Sequence, residues 1–305
     1  MVKRLTVMAT SVLTLMLAFA PFPQAGAAFA GNNGKLIFSS GEFEGPQEIF
    51  VSEADGTGRT RLTGDAGQDL NPTWSPDGTK FVYTHYGRGA GDLFIRNADG
   101  SGKIRVTRTR ADESNASFSP GGTRLVYERC RLRRFDCDIY RIGIDGTGVT
   151  RLSSGRARDI QPVWSSPGGI SFGRWRGASD TELFVMNANG FGLRRLTANR
   201  ADDMSPSWAP GRATMVFQRC PWPRDCELYK INVNSGVERR LTDNSKHDLD
   251  PAWSPNGRRV AFARSGEEES PSDLFTMRAD GQGTAARVTS TPARWEIQPD
   301  WQPLP

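Results

Sequence analysis

The sequence predicts an all-β protein, a six-bladed β-propeller of four-stranded blades, because one motif recurs six times along it. In each repeat an acidic residue is followed five residues later by an aromatic residue, and in all but the last a Ser-Pro-Asp-Gly-like turn comes next. Three short runs with period-two alternation lie between successive aromatic residues. Four strands in a repeat of this length are typical of propeller blades. The aromatic residues are Trp74, Phe118, Trp164, Trp208, Trp253 and Trp301, with spacings of 44, 46, 44, 45 and 48.

Turn residues bound each predicted strand. At residues 75–78 the run Ser-Pro-Asp-Gly places Pro where a type I turn needs a fixed φ, and Gly closes the turn. Asp-Gly pairs such as Asp99-Gly100 recur between the third and fourth strands, and this dipeptide is a strong hairpin signal. No stretch beyond the N-terminal apolar segment shows a sustained helical period.

The two ends of the chain are complementary. The first repeat begins at its second strand, residues 35–38, whereas the chain ends on an aromatic strand that has no hairpin partner. We therefore expect the C-terminal strand to complete the first blade and close the ring, since an open solenoid would leave an orphan strand at each end. The predicted blades are residues 33–64 with 296–302, 69–108, 113–154, 159–198, 203–243 and 248–290.

The N-terminal segment, residues 1–27, is predicted to be a secretory signal peptide. Lys3 and Arg4 precede an apolar run of 16 residues, from Leu5 to Ala20, and small residues follow at 25–28. An uncleaved anchor is the alternative, although the apolar run is slightly short for a membrane span. The mature chain, residues 28–305, is then a single propeller domain in a secreted or periplasmic protein.

Composition excludes several function classes. The net charge of +5 would suggest nucleic acid, but loss of the signal peptide leaves 37 basic and 34 acidic residues, or +3. We expect no nucleic-acid partner for so weakly basic an exported protein. Four Cys and two His are too few for a Cys/His metal module. We expect no cofactor, with a structural Ca²⁺ in the channel as the alternative, and a monomer.

The four cysteines fall into two close pairs. Cys130 and Cys137 are seven residues apart, and Cys220 and Cys226 are six apart. In an oxidising compartment each pair could close a small loop as a disulfide. Free thiols are the alternative.

The repeats resemble those of the TolB-type β-propeller family. Its Pro-x-Trp-Ser-Pro-Asp-Gly signature stands at residues 72–78, and with Asn for Asp at 251–257. The closing Arg-Leu-Thr stands at 61–63, 195–197 and 240–242. The resemblance covers essentially everything after residue 33, and it implies that the channel mouth is a protein-docking face. The α/β domain that precedes the TolB propeller is not expected here.

An acidic residue lies five positions before each aromatic residue, at the start of the strand that a propeller places innermost. Six such carboxylates could form an anionic ring at the channel mouth and attract a cation or a basic segment of a partner. The alternative is a structural role, in which each acid bonds backbone N–H groups of the loop joining two blades. The six acids are Asp69, Glu113, Asp159, Asp203, Asp248 and Glu296.

Arginine recurs on the outermost strand of every blade, where a charge guards a sheet edge. Other basic and aromatic residues lie in the loops between the second and third strands of blades 3 to 5, whereas residues 42–44 and 267–269 make the same loops of blades 1 and 6 acidic. Loops of variable sequence often carry function, and solvated arginine loops without a ligand are the alternative. The loop candidates for binding are Arg131, Arg133, Arg134, Trp175 and Trp222.

These patterns favour a secreted or periplasmic, non-enzymatic scaffold that docks a protein partner at the channel mouth. No Gly-x-Ser-x-Gly elbow and no catalytic triad are present, so no catalytic residue is assigned. The alternative is an extracellular carbohydrate-binding or carbohydrate-active propeller that uses Trp175 and Trp222 as stacking surfaces.

Overall fold

The computed structural model describes residues 28–42, 45–131, 136–165, 168–177, 180–211, 213–221, 225–266 and 270–305. The predicted signal peptide, residues 1–27, lies outside the described residues. All regular secondary structure in the described part of the chain is β-strand. The prediction of an all-β propeller is confirmed.

Four units of the repeat form separate antiparallel sheets of four strands, and in each the strand that carries the repeated aromatic residue is at one edge. The outermost strands are only two or three residues long, which leaves little open sheet edge. These sheets are β4 (Gln68–Trp74), β5 (Lys80–Tyr86), β6 (Asp92–Asn97) and β7 (Ile104–Arg105); β8 (Asp112–Phe118), β9 (Arg124–Arg131), β10 (Asp136–Gly143) and β11 (Thr150–Arg151); β12 (Arg158–Trp164), β13 (Gly169–Trp175), β14 (Glu182–Asn187) and β15 (Arg194–Arg195); and β16 (Asp202–Trp208), β17 (Thr214–Cys220), β18 (Glu227–Asn232) and β19 (Glu238–Arg240).

The remaining eight strands form one sheet rather than the two separate blades expected. A parallel pair between Ser272 and Trp295 joins its halves, and the Ser272 hydroxyl bonds both the N–H and the carbonyl of Glu296. The structure therefore has four separate four-stranded sheets and one of eight strands. Its strands are β20 (His247–Trp253), β21 (Arg259–Ser265), β22 (Ser272–Arg278) and β23 (Ala286–Arg287) in one half, and β24 (Arg294–Leu304), β1 (Asn32–Glu42), β2 (Glu48–Ser52) and β3 (Thr60–Arg61) in the other.

The C-terminal strand β24 pairs with β1 near the N-terminus, as the complementary chain ends predict. The antiparallel ladder runs from Asn32 opposite Leu304 to Glu42 opposite Arg294. We number the half that contains β24 and β1 as unit 1, the four separate sheets as units 2 to 5 in chain order, and the other half as unit 6.

The core lies between neighbouring units. All six repeated aromatic residues are buried, with Trp74 and Trp301 only 2% exposed. The indole N–H of Trp208 in unit 5 donates to the Ser171 hydroxyl of unit 4 at 2.9 Å. The Asp-Gly-type turns also pack on the preceding unit, because a Cβ at Gly190 would lie 2.6 Å from the Leu152 carbonyl oxygen.

Two buried aspartates accept backbone hydrogen bonds across the boundaries of unit 1. Asp300 Oδ2 accepts the N–H of Trp74 in unit 2 at 2.8 Å, and Asp250 Oδ2 in unit 6 accepts the N–H of Gln298 at 3.2 Å. Burial raises the pKa of each carboxyl to about 8, although these N–H groups oppose the rise. An unfolded aspartate titrates near 3.8, so the folded state holds each proton up to about pH 8. The stability linked to that proton is fully present below pH 3.8 and is lost as the pH rises through 8.

The substitution Asp300→Asn tests this linkage. The asparagine amide keeps an oxygen that can accept the Trp74 N–H, but it carries no charge. The melting temperature of the variant should therefore fall less than that of the wild type between pH 5 and 9. About 2–4 °C is expected for each kcal/mol. The control is Asp145→Asn, because Asp145 is exposed and its pKa is lowered by hydrogen bonds from Thr147. Parallel pH profiles for wild type and Asp300→Asn would contradict the account.

Candidate functional site

Two sets of loops meet at one end of the fold, which we call the loop face. Backbone bonds join the sets: the N–H of Glu113 donates to the Gly91 carbonyl at 2.9 Å, and that of Asp203 to the Thr181 carbonyl at 2.8 Å. In units 2, 3, 5 and 6 the start of the innermost strand is thus tied to a loop of the preceding unit. The loop face comprises the between-unit loops 62–67, 106–111, 152–157, 196–201, 241–246 and 288–293, the described parts of the within-unit loops, which are 45–47, 87–91, 176–177, 180–181, 221, 225–226, 266 and 270–271, and the adjoining strand ends Arg131 and Trp175.

The six predicted acids are all buried at the loop face, and each contacts a basic side chain. Five form ion pairs with arginine, and the Asp69–His85 contact is an ion pair only when His85 is protonated. None of the six acids is more than 1% exposed. They therefore do not present an open anionic ring, because each carboxylate faces a basic side chain of its own unit. The pairs are Asp69–His85 at 2.6 Å, Glu113–Arg129 at 2.6 Å, Asp159–Arg174 at 2.6 Å, Asp203–Arg219 at 2.7 Å, Asp248–Arg264 at 2.6 Å and Glu296–Arg59 at 3.2 Å.

Strand register produces these pairs. In units 2 to 6 the acid and its basic partner are directly opposite in the ladder between the first and second strands, as Asp159 and Arg174 are. Unit 1 differs, because Glu296 lies opposite Ser40 and its partner Arg59 comes from the start of the outermost strand. The sequence signal in units 2 to 6 was a basic residue 15 or 16 positions after the acid, and sequence reasoning missed it.

Each basic partner also contacts an aromatic ring of the third strand. The Arg174 guanidinium lies 5.0 Å from the Phe184 ring centroid, a cation–π distance. His85 meets Phe94 edge to face with centroids 5.4 Å apart. The acid, the base and the ring thus link three strands of one unit. The other contacts are Arg59 over Phe50, Arg129 over Tyr140, Arg219 over Tyr229 and Arg264 over Phe275, at 4.3 to 4.9 Å.

Burial also affects the titration of these pairs. It raises the pKa of the Asp203 carboxyl, while hydrogen bonds from Arg219 and Asn199 oppose the rise. Burial lowers the pKa of Arg219, but hydrogen bonds to Asp203 and Glu238 outweigh this and raise it above its ordinary value. Arg219 thus stays charged in its buried position.

The arginines of the outermost strands form a second set of ion pairs, with an acid at or near the start of the third strand. In unit 3, Arg151 lies 2.6 Å from Asp138 and donates through Nε to the Ser153 carbonyl. The Ser153 hydroxyl in turn accepts the N–H of Ile139. The Arg-Leu-Thr motif and its variants therefore hold the third and fourth strands together through an ion pair and a hydrogen bond. The other pairs are Arg61–Glu48, Arg105–Asp92, Arg195–Glu182, Arg240–Glu227 and Arg287–Asp273, at 2.5 to 3.1 Å.

Two residues after each acid the backbone turns left-handed, with φ between 52° and 58°. Non-glycine residues rarely adopt this conformation, and the strand ladder is shifted there in each unit. The turn lets backbone N–H groups reach neighbouring units: Ser205 donates to Gln161 Oε1 at 2.9 Å, and Asn71 to Gln298 Oε1 at 2.8 Å. These residues are buried, and all but Asn115 take part in hydrogen bonds between units. They are Asn71, Asn115, Gln161, Ser205, Asp250 and Gln298.

The predicted loop candidates are only partly described. Arg131 is exposed and lies 3.7 Å from Asp136. Trp175 is 37% exposed, with the Arg158 guanidinium 5.7 Å from its ring centroid. Arg133, Arg134 and Trp222 lie outside the described residues.

Both predicted disulfides, Cys130–Cys137 and Cys220–Cys226, are present. Cys130 and Cys137 are opposite one another in the ladder between β9 and β10. Each disulfide therefore closes the base of a within-unit loop on the loop face.

Neither a metal cluster nor a membrane-crossing helix is found in the part of the chain that the structure describes. No three His, Cys, Asp or Glu residues come together there in a way that could hold a metal ion. No helix there has the length and apolar character needed to cross a membrane.

Removing one member of a buried pair tests the role of the acids. Arg174→Leu leaves the Asp159 carboxyl buried without its bidentate partner, which should cost about 3–5 kcal/mol of unfolding free energy. Arg105→Leu breaks a more exposed outer pair with Asp92 and should cost about 0–1 kcal/mol. Urea unfolding followed by tryptophan fluorescence measures both, and the double variant Asp159→Leu/Arg174→Leu should recover most of the loss. Equal costs for the two single variants would contradict a structural role for the buried pairs.

Comparison with known proteins identifies the family of this chain. A family model described as the TolB beta propeller domain matches residues 6–165. A "Protein TolB homolog" of Chlorobium chlorochromatii (strain CaD3) is 39% identical over 54 residues, which are 18% of this chain and 12% of that protein. The chain thus matches only a small part of the length of that curated relative.

Two solved structures share the fold. TolB from Acinetobacter baumannii has a TM-score of 0.75 at 18% identity, covering 88% of this chain and 67% of that one. An oligogalacturonate lyase in complex with manganese has a TM-score of 0.61 at 17% identity, covering 88% and 77%. At these identities the likeness shows the fold alone. Because the family model matches more than half of the 305 residues, the chain belongs to the TolB beta-propeller domain family.

Proposed function

We propose that this protein is an exported, non-enzymatic binding scaffold that docks a protein partner on the loop face. The N-terminal segment, residues 1–27, directs export and is removed, and residues 28–305 act as a monomeric single domain without a cofactor. Two disulfides are consistent with an oxidising compartment outside the cytoplasm. Membership of the TolB beta-propeller domain family favours a binding role.

The proposal includes a closed ring of six blades, in which the two halves of the eight-stranded sheet act as blades 6 and 1. Bonds on both sides of unit 1 support it. The N–H of Gln298 donates to Asp250 of unit 6, and Gln298 Oε1 accepts the N–H of Asn71 in unit 2. The C-terminal strand is therefore bonded to the units that precede and follow it in the ring.

The observation that carries the proposal is the double set of ion pairs under the loops. Buried pairs hold the start of each innermost strand, and outer pairs hold each third strand to the fourth. Loops anchored in this way lose little freedom when a partner binds, and pre-organisation of this kind improves affinity. In this proposal the six acids support the docking surface from below, while exposed loop side chains such as Arg131 and Trp175 contact the partner.

A carbohydrate-binding or carbohydrate-active role is the second candidate. The exposed ring of Trp175 favours it, as does the fold shared with an oligogalacturonate lyase. The two histidines, which are natural candidates for acid or base, both contact acidic side chains, however. Asp69 pairs with His85, and His247 lies 3.4 Å from Asp225 and accepts the N–H of Cys226. This observation favours docking over catalysis.

Site-specific photo-crosslinking tests the proposal in cells that make the protein. A photo-reactive residue in place of Trp175 on the loop face should give one discrete protein adduct in the extracytoplasmic fraction. The same residue in place of Thr147, exposed in a turn at the other end of the fold, should not give that adduct. Mass spectrometry identifies the shifted species. Equal adducts from both positions would contradict docking on this face, and a glycan adduct at position 175 would favour the second candidate.

A further inference from the structure

We propose that the partner reaches the loop face with an acidic polypeptide segment, bound by exposed basic side chains of units 2 to 5. This inference rests on the proposed function. An open ring of acids would have attracted a basic partner, whereas the exposed bases attract an acidic one. Six side chains carry the argument, and all of them are exposed: Arg108, Arg110, Arg156, Arg176, Arg200 and Lys246.

The ion pairs on the loop face determine which charged side chains are left to bind a partner. The six buried acids pair with basic side chains of the same units, and the acids at or near the start of each third strand pair with the arginines of the outermost strands. Two further acids of the between-unit loops are also paired, since Asp65 binds Arg96 and Lys103 and Asp243 binds Arg240. Within the described residues, no ion pair reaches any of the six exposed bases. Among the described residues that these loops contribute in units 2 to 5, the charge outside ion pairs is therefore mainly positive, with Asp180 beside Arg176 as an acid that forms no ion pair there.

The placement of these bases follows from the chain path. Five of the six lie in the between-unit loops that lead into the innermost strands of units 3 to 6, so they follow an arc around the channel mouth. The loop that leads into unit 1, residues 288–293, contains no charged residue. In the loop that leads into unit 2, residues 62–67, the only charge is the paired Asp65. The basic arc therefore covers one side of the loop face.

Five of the six bases are arginine. A guanidinium presents a planar fork of donors that matches a carboxylate, and it stays charged at any physiological pH. A single exposed pair of this kind is weak, so a ligand needs several carboxylates spaced along an extended chain. A segment of a protein that is rich in Asp and Glu meets this requirement.

An anionic polysaccharide fits the described surface less well. Sugar binding uses flat aromatic faces, but the described loop tryptophan, Trp175, carries the Arg158 guanidinium on its ring. Other aromatic rings near the basic arc, such as Phe184 and Tyr229, lie in strands and contact Arg174 and Arg219, the paired arginines. Charge recognition without sugar stacking points to a polypeptide.

Two triple variants with the same change of charge test the inference. Arg108→Glu/Arg156→Glu/Arg200→Glu reverses the basic arc. Arg124→Glu/Arg239→Glu/Arg258→Glu is the matched control, because these arginines are also exposed and form no ion pair within the described residues, but lie away from the loop face. The probes are a fluorescent peptide of alternating Glu and Ser and fluorescent polygalacturonate, and anisotropy measures their binding to the purified chain.

The arc variant should bind the peptide at least about tenfold more weakly than the wild type, while the control stays within about threefold. Added salt should weaken wild-type binding, since the charges are exposed. Equal losses in the two variants, or arc-dependent binding of polygalacturonate that is tighter than binding of the peptide, would overturn the inference. If the crosslinks at position 175 persist in the arc variant, docking on the loop face stands, and only the proposal that the partner binds through an acidic segment is overturned. Their absence from the wild type would instead count against docking itself.

Discussion

The buried pair between an acid that begins the innermost strand and a base that ends the second strand supports the rest of this structure. It occurs in five of six units at the same ladder position, and unit 1 provides a substitute in Arg59. The base stacks on a third-strand ring, and in units 2, 3, 5 and 6 the backbone N–H of the acid bonds a loop of the preceding unit. One pair therefore connects three strands of its own unit, and in those four units it also sits at the contact with the neighbour. Such pairs are costly to bury, so they fix position more than they add stability.

The pairing of each buried acid within its own unit explains the charge that the loop face presents to solvent. The carboxylates at the mouth are neutralised within each unit, so they contribute little to the field outside. Exposed arginines of the loops above them form no ion pair within the described residues, so these arginines dominate the potential on their side of the loop face. Buried and exposed charges thus lie within a few residues of one another: Asp203 is buried and paired, while Arg200 is exposed. The overall net charge of +5 does not distinguish these two populations.

Much of the fold could be predicted from the sequence, because repeats, aromatic spacing and turn residues are local signals. The pairing of the C-terminal strand with β1 followed from complementary chain ends. The parallel pair between Ser272 and Trp295 could not be predicted, since it depends on how closely units 6 and 1 approach one another. The acids were found at the right positions, but the sequence left both an open ring and a structural role as alternatives. In units 2 to 6 their partners lie on the next strand, and only the ladder register brings them together. The left-handed backbone at Gln161 and Gln298 left no residue-type signal either, because glutamine does not favour that conformation.

Carboxyl footprinting of the native protein tests the central claim most directly. Carbodiimide-activated coupling of an amine, read by peptide mass spectrometry, reports which carboxylates solvent can reach. Asp69, Glu113, Asp159, Asp203, Asp248 and Glu296 should label far more slowly than the exposed controls Glu53, Asp99 and Asp243, and should reach the same rate once the protein is unfolded. If the six acids label in the native protein as fast as those controls, they form an open ring at the mouth, and the account of buried pairs is contradicted.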